Sequence, residues 1–201
     1  MQHQIQGQHA GETGKISDPS RIILARHGET LFNIGHRLQG WCDSPLTEAG
    51  ESHASELGLR LHRSGLPIDT VAYADTGRHR HTARIVLSTF PEARSFETPA
   101  LRECNFGGFE GHTLAEVVSG LSAEADAFDG VPLPGNEGFD MLRLLDRLAE
   151  VTVHSPWPSE PPARVAGRAL DELEALAETS KPGATLAITS GITMLAVLDH
   201  L

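Results

Sequence analysis

The residues of this chain whose types and spacing could do chemistry begin with Arg26, His27 and Gly28. An imidazole can attack phosphorus at neutral pH, because one ring nitrogen is unprotonated while the other donates a hydrogen bond to a backbone acceptor. A guanidinium beside it can donate two hydrogen bonds, in fixed geometry, to phosphoryl oxygens. The triplet therefore indicates a nucleophile beside a phosphate-binding cation, although these three residues could also meet by chance in a loop.

The segment before this triplet predicts that it lies at the end of a buried strand. Residues 21–25 are rich in β-branched and apolar side chains, and charged residues and a glycine follow at once. Two further segments, 69–74 and 184–189, also predict buried strands. Predicted helices follow the three strands at residues 47–63, 78–89 and 192–201. Recurring strand–helix units indicate a mainly parallel sheet with helices on its faces.

The predicted fold class is therefore α/β, a three-layer sandwich in which a mainly parallel sheet is flanked by helices. In such sheets the functional loops lie at the carboxyl ends of the strands. We expect three loops to converge there, at residues 26–30, 74–78 and 190–191.

The long stretch between the second and third units predicts an insertion. Helices are predicted at 113–120, 137–153 and 164–179, and the proline-rich residues 155–162 predict a loop. Residues 105–163 are expected to form a helical lid over the edge of the sheet. The polar residues 1–20 contain no apolar stretch and predict a disordered tail, which leaves 21–201 as a single domain.

Composition excludes several classes of protein. The formal net charge of −11 at pH 7 argues against broad nucleic-acid binding, which depends on lysine and arginine. The two cysteines, Cys42 and Cys104, are far apart and support neither a disulfide framework nor a zinc site. No apolar run approaches the roughly 20 residues that cross a bilayer. We expect a cytoplasmic protein with no membrane partner, whose few cations concentrate in one pocket if it binds phosphate.

Residues 26–50, RHGETLFNIGHRLQGWCDSPLTEAG, resemble the opening signature of the histidine phosphatase superfamily, which includes cofactor-dependent phosphoglycerate mutases and many small-molecule phosphatases. Three more segments follow in the family's order: ADTGRHRHTARIV at 74–86, LRECNFGGFEG at 101–111 and PGNEGFD at 134–140. The resemblance covers residues 21–140 by motif, and 184–201 by position and pattern only.

Carried onto this sequence, the resemblance implies that His27 is the phosphorylated nucleophile. It implies that Arg26 and Arg78 are phosphate-binding cations and that Asn33 is a further donor. Glu103 is implied as the proton donor to the leaving group. That role suits a carboxyl group near a phosphate, because an alkoxide leaves badly unless protonated and the nearby negative charge raises the carboxyl pKa.

Neighbours of these residues receive weaker interpretations. Gln39 and Gly40 either shape the substrate entrance, as the resemblance implies, or form an ordinary turn. His79, Arg80 and His81 follow Arg78 and are expected on the surface of the predicted helix.

The resemblance breaks after the last predicted strand. The family presents a second histidine followed by glycine there, whereas this chain has Ser190 and Gly191. A serine can donate a hydrogen bond to the phosphoryl group but carries no charge, so we expect turnover to fall by about 10² to 10³. Phosphate binding could survive this change. A displaced substitute for the histidine is conceivable at His112, which follows the Glu103 loop.

The expected function is a phosphomonoesterase that hydrolyses a small phosphorylated metabolite through a phosphohistidine, impaired by Ser190. Two alternatives remain open: a catalytically weak or inactive phosphoester-binding protein, and a phosphoglycerate mutase. The expected partner is a small-molecule phosphate ester, with no cofactor and no metal, because arginine and imidazole supply the positive field. The chain could also form a homodimer.

Overall fold

A four-stranded, entirely parallel sheet forms the centre of this computed structural model, which describes residues 21–121, 137, 140–152, 154–179 and 183–201. Its strands are β1 (Arg21–Arg26), β2 (Ile68–Ala74), β3 (Arg94–Thr98) and β4 (Ala184–Thr189). They lie in the order β1, β4, β2, β3, so that the last strand of the chain is inserted beside the first. The predicted α/β fold with a parallel sheet is confirmed.

Helices cover both faces of this sheet. Their bounds in the described part of the chain are α1 (Leu31–Ile34), α2 (Glu48–Arg63), α3 (Gly77–Leu87), α4 (Leu114–Leu121), α5 (Met141–Thr152), α6 (Pro162–Thr179) and α7 (Gly191–His200). Short 3-10 helices cover Pro99–Leu101 and Gly107–Phe109. None of the helices described here is both long enough and apolar enough to cross a bilayer.

The side chains of β4 show how the three layers form. Successive side chains of a strand point to opposite faces. Leu186 and Ile188 pack with residues of α2 and α3, whereas Ala187, between them, packs with residues of α6 and α7. Every residue of β4 is buried, because neighbours lie on both edges and both faces of this strand.

A third apolar cluster lies beside the sheet and joins the inserted helices to the domain. It contains Val117 of α4, Leu145 and Leu148 of α5, Val165 of α6 and the aromatic ring of Phe106. Helices α4 and α5 correspond to two of the predicted insertion helices, and α6 begins at a proline, which the first turn of a helix tolerates. The predicted tail at 1–20 and most of the motif at 134–140 lie outside the described residues.

Strand β3 was not predicted from the sequence. It lies at the edge of the sheet and pairs only with β2 among the described strands, and four of its five residues are exposed. An exposed edge strand needs no apolar run, so the pattern that identifies buried strands is absent from it.

The loop after β1 and the beginning of α2 meet at two glycines. A Cβ added at Gly50 would collide with the backbone of Glu29, and a Cβ added at Gly28 would collide with the carbonyl group of Gly50. Thr47 caps α2 by accepting a hydrogen bond from the Gly50 N–H, and its own N–H donates to the Glu29 carbonyl. The first turn of α2 therefore supports the loop that follows His27.

We expect Gly50→Ala to lower the free energy of unfolding by about 1 to 3 kcal/mol, because backbone atoms must move to accept the added methyl group. Gly167→Ala in α6 is the matched control, since its added Cβ meets nothing within 4 Å. That control should gain up to about 1 kcal/mol from helix propensity. Urea unfolding measures both, and equal effects would show that the glycine contact is not constraining.

Candidate active site

His27 lies immediately after β1, where its own N–H continues the sheet by donating to the Thr189 carbonyl at 3.0 Å. Its side chain is 7% exposed. Its Nδ1 lies 2.8 Å from the Gly28 carbonyl oxygen, which can only accept a hydrogen bond. Nδ1 therefore carries the ring hydrogen, and Nε2 keeps an unprotonated lone pair.

The surroundings of His27 keep its ring neutral. Burial lowers its pKa to about 3, and the positive charges of Arg78 and then Arg26 act in the same direction, against the hydrogen bond to Gly28. A neutral imidazole with a defined tautomer is the form that can attack phosphorus at physiological pH.

An open cavity of about 380 Å³ lies over His27. Its lining combines polar groups from the β1 and Glu103 loops with apolar side chains from α5 and α7: Arg26, His27, Asn33, Arg37, Leu38, Gln39, Glu103, Phe106, Met141, Gly191, Ile192 and Leu195. The structure thus brings together His27, Arg26, Asn33, Glu103 and Gly191 of the predicted site. This volume falls in the range of small-molecule pockets.

The cations of the site occupy two different depths. Arg26 is exposed, and its Nε would lie 3.7 Å from a Cβ added at Gly191, so its side chain passes over the start of α7. Arg37 also lines the cavity and donates to the Gly111 carbonyl at 2.7 Å. Arg37 is not among the predicted site residues, because no spacing distinguishes it within the motif at 26–50.

Arg78 lies deeper, and it is fully buried. Its terminal nitrogens donate to the carbonyls of Gln39, Gly40 and Cys42 and to the Asp43 carboxylate, at 2.8 to 3.2 Å. Its Nε is buried without a hydrogen-bond partner. Arg78 therefore orders the 39–43 loop and acts electrostatically on His27. It is not among the residues that line the cavity, so the structure does not place its guanidinium beside the other predicted phosphate-binding groups.

Asn33 is held by a capping box at the start of α1. The Thr30 N–H donates to Asn33 Oδ1 at 3.1 Å, and the Asn33 N–H donates to the Thr30 hydroxyl. Because the amide oxygen is engaged, the amide nitrogen of Asn33 is available as a donor in the cavity. The Thr30 hydroxyl donates in turn to Gln39, whose amide donates to Ser44.

Gly40 occupies a turn held by Glu110. The Glu110 carboxylate accepts hydrogen bonds from the N–H groups of Gly40, Trp41 and Cys42, at 2.8 to 3.1 Å. A Cβ at Gly40 would collide with the Cys104 carbonyl and the Glu110 carboxylate. The interpretation as a turn is confirmed, and Gln39 lines the cavity, whereas a role of this turn in substrate entry stays a prediction.

Glu103 lies at the N-terminus of α7 and is buried. Its Oε1 accepts from the Cys104 N–H and from both the N–H and the hydroxyl of Thr193, whereas Oε2 accepts from the Ile192 N–H. Burial raises the pKa of Glu103 more than these donors lower it. Oε2, with fewer donors, is the oxygen that can carry a proton at the cavity wall.

Arg168 fixes the loop that carries Glu103. Its guanidinium donates to the carbonyls of Ala100, Arg102 and Glu103, at 2.6 to 3.0 Å. It also forms a two-point ion pair with Glu160 at 2.9 Å. The carbonyl groups and the carboxylate together use its donors, which an interior guanidinium requires.

The structure corrects the interpretation of His79. It was expected on the helix surface with Arg80 and His81, but its exposed fraction is 0%. Its Nε2 lies 2.9 Å from the Ser190 hydroxyl, and its ring centroid lies 4.9 Å from that of His27. His112, the suggested substitute, is exposed and does not line the cavity.

One signal in the sequence could have identified His79. Thr82, Ala83 and Val86 are buried residues of α3 and lie three, four and seven positions after it, which is the spacing of one helix face. The neighbouring arginines and histidines made the segment resemble a solvated basic cluster instead.

The neutral state of His27 gives the stability of the protein a pH dependence of definite sign. The pKa of His27 is about 3 in the folded protein against an ordinary 6.5, so the unfolded chain binds more protons between these values. The contribution is fully present above about pH 6.5 and is lost as pH falls toward 3, by up to about 1.4 kcal/mol per pH unit.

We therefore expect wild type to lose more unfolding free energy than His27→Gln between pH 7 and pH 5, as measured by urea denaturation. The comparison cancels the other titrating groups that the two proteins share. Equal losses would mean that the buried imidazole titrates normally in the folded protein.

Comparison with known proteins agrees with this geometry. A family model described as the histidine phosphatase superfamily (branch 1) matches residues 22–154. The chain is 34% identical over 158 residues to a protein named probable phosphoglycerate mutase GpmB from Erwinia tasmaniensis, covering 76% of this chain and 72% of that protein. A relative of the same name from Yersinia pestis is 34% identical over 118 residues, and the chain spans about half of its length (52%).

Solved structures extend the likeness to the whole fold. A phosphoglycerate mutase from Bacillus anthracis superposes with a TM-score of 0.76 at 28% identity, covering 92% of this chain and 81% of that one. A mycobacterial glucosyl-3-phosphoglycerate phosphatase shares the fold with a TM-score of 0.65 at 20% identity, covering 90% and 81%. With the family model matching well over half of its residues, the chain belongs to branch 1 of the histidine phosphatase superfamily.

Proposed function

We propose that this protein is a phosphomonoesterase that hydrolyses a small phosphorylated metabolite through a phosphohistidine at His27. The observation that carries the proposal is the hydrogen bond from His27 Nδ1 to the Gly28 carbonyl, which leaves Nε2 as an unprotonated nucleophile beside the cavity. The ring is neutral at physiological pH, so no proton has to be removed before attack.

The reaction has two steps. In the first, the lone pair of His27 Nε2 forms a bond to phosphorus as the bond from phosphorus to the ester oxygen breaks. The departing alkoxide takes the proton of Glu103. In the second step the Glu103 carboxylate accepts a proton from water, the water oxygen bonds to phosphorus, and the phosphorus–nitrogen bond breaks with its electrons returning to Nε2.

Positive charge and N–H donors around the cavity suit the phosphoryl group. Arg26 and Arg37 line the cavity, and the charge of Arg78 acts on His27 from outside the lining. The amide of Asn33 adds a neutral donor. Preorganised donors of this kind stabilise charge that develops in the transition state. The cavity volume of about 380 Å³ favours a small ester over a polymer.

Phosphoglycerate mutase activity is the second candidate, and the name of the Erwinia tasmaniensis relative favours it. Both activities form the same phosphohistidine and differ in whether water or a second hydroxyl group receives the phosphoryl group. Incubation with 3-phosphoglycerate distinguishes them, because a mutase yields 2-phosphoglycerate and a phosphatase yields inorganic phosphate. A phosphoester-binding protein would bind the compound and yield neither product.

We expect His27→Asn to abolish hydrolysis of an aryl phosphate and to prevent formation of a phosphoenzyme. The readout is rapid quenching with radiolabelled substrate, followed by a test for the acid-labile, alkali-stable linkage of phosphohistidine. Arg84→Gln, on a surface of α3 that is remote from the proposed chemistry, is the control and should retain both properties. Phosphoenzyme in His27→Asn would contradict the assignment of the nucleophile.

We expect Glu103→Gln to slow hydrolysis of alkyl phosphates by about 10² to 10⁴, the usual contribution of a general acid. The loss should be much smaller in phosphoenzyme formation from aryl phosphates with acidic leaving groups, which need little protonation. Single-turnover kinetics over a series of leaving groups gives both values. A uniform loss across the series would show that Glu103 has only a structural role at the start of α7.

A further inference from the structure

Two helix N-caps hold His79 between them. Thr76 precedes α3, and Ser190 precedes α7, yet neither hydroxyl caps its own helix. Both turn instead to the His79 ring, where Thr76 Oγ1 lies 2.6 Å from Nδ1 and Ser190 Oγ lies 2.9 Å from Nε2. Serine and threonine at this position normally satisfy the N–H groups of the first turn. Because both hydroxyls contact the His79 ring and not the first turns of their own helices, this ring is held in a defined orientation.

The clamped ring is neutral. A hydroxyl can donate or accept, so each nitrogen of a neutral imidazole is satisfied by its partner whichever tautomer is present. Burial lowers the pKa of His79 well below its ordinary value, and the Arg78 charge and the adjoining His27 ring, which would repel a second proton, act in the same direction against a hydrogen bond to the Thr189 backbone. His79 thus adds a second buried imidazole to the site without adding charge to the resting protein.

His79 contacts the proposed nucleophile directly. The ring centroids of His79 and His27 are 4.9 Å apart, and their planes meet at 76°, an edge-to-face arrangement. The hydrogen bond from His27 Nδ1 to the Gly28 carbonyl restrains His27 at one edge of its ring. Packing of His79 against the same ring restrains its tilt, so the two contacts together fix the direction of Nε2.

We propose that His79 is a positioning residue for phosphorylation, whose clamped neutral imidazole directs His27 Nε2 toward phosphorus. This inference rests on the proposed function. In this chain the second imidazole of the site then comes from α3, whereas Ser190, at the position where a histidine was expected, serves to hold it.

The charge of the His27 ring changes during the first step. When Nε2 forms a bond to phosphorus while Nδ1 keeps its hydrogen, the His27 ring becomes positive. A neutral His79 adds no repulsion to this cation, whereas a protonated His79 with its centroid 4.9 Å away would repel it. Misplacement of a reacting atom by about 1 Å can cost about 100-fold in rate, which sets the expected scale for loss of the ring.

Moving the buried imidazole from position 79 to position 190 tests this inference. The exposed fractions of Ser190 and His79 are 1% and 0%, so a histidine at position 190 would compete with His79 for one buried space. We expect Ser190→His alone to reduce single-turnover phosphoenzyme formation by about 10-fold or more, and Ser190→His with His79→Ala to recover most of the wild-type rate. If Ser190→His alone formed phosphoenzyme faster than wild type, and adding His79→Ala raised the rate no further, the proposal would be overturned.

Single variants test whether the two residues act as one unit. We expect His79→Ala to lower the rate of phosphoenzyme formation by about 100-fold, with little change in the half-saturating substrate concentration. Adding Ser190→Ala to it should cost nothing more, because the serine acts through the histidine. His79→Gln, which can still bond to Ser190, should recover part of the rate. Independent, additive losses would contradict the relation.

A measurement without substrate separates this inference from the proposed function. In protein with ¹⁵N-labelled histidine, we expect the His27 ring of wild type to show a single tautomer, with hydrogen on Nδ1. In His79→Ala the Nδ1–H resonance should broaden or shift as the ring gains freedom, whereas in the control His81→Ala it should not. Unchanged His27 signals in a folded His79→Ala protein would refute the positioning role, even if wild type formed no phosphoenzyme.

Discussion

The parallel pairing of β1 with β4 is the constraint on which the rest of the site depends. The register sets Arg26 opposite Thr189, and the His27 N–H, one residue further on, donates to the Thr189 carbonyl. This places His27, the proposed nucleophile, beside the start of α7, although the two lie near opposite ends of the described chain. Insertion of β4 between β1 and β2 also brings the loop before α3 to the same edge, which is how parallel sheets collect functional loops.

Buried and partly buried charged side chains then give these loops their shape. The 39–43 loop turns its carbonyl groups toward Arg78 and its N–H groups toward Glu110, so one cation and one anion satisfy opposite ends of successive peptide groups. Arg168 and Glu160 hold the Glu103 loop in a related way. Leaving such a group unpaired in the interior is costly, so these contacts favour a single arrangement of the loops.

The cavity contains positively charged side chains although the chain as a whole is negatively charged. The protein carries a formal net charge of −11, but Arg26 and Arg37 line the cavity and the charge of buried Arg78 acts on His27. Burial first, and then the charges of Arg78 and Arg26, lower the pKa of His27. If the proposed function holds, a phosphate ester entering the cavity would meet positive charge and an imidazole that is already neutral.

The sequence alone determined the strand that ends at His27, the βα order and the residues of the phosphate motif, because buried strands and glycine-bounded loops leave local patterns. It could not identify β3, since an exposed edge strand has no apolar run. Only the tertiary structure decided that the terminal N–H groups of Arg78 donate hydrogen bonds to the 39–43 loop and that His79 is buried against Ser190 and His27. These facts depend on contacts between distant segments. Helical spacing can suggest that a histidine is buried, but the partner it meets is set by how β4 is inserted into the sheet.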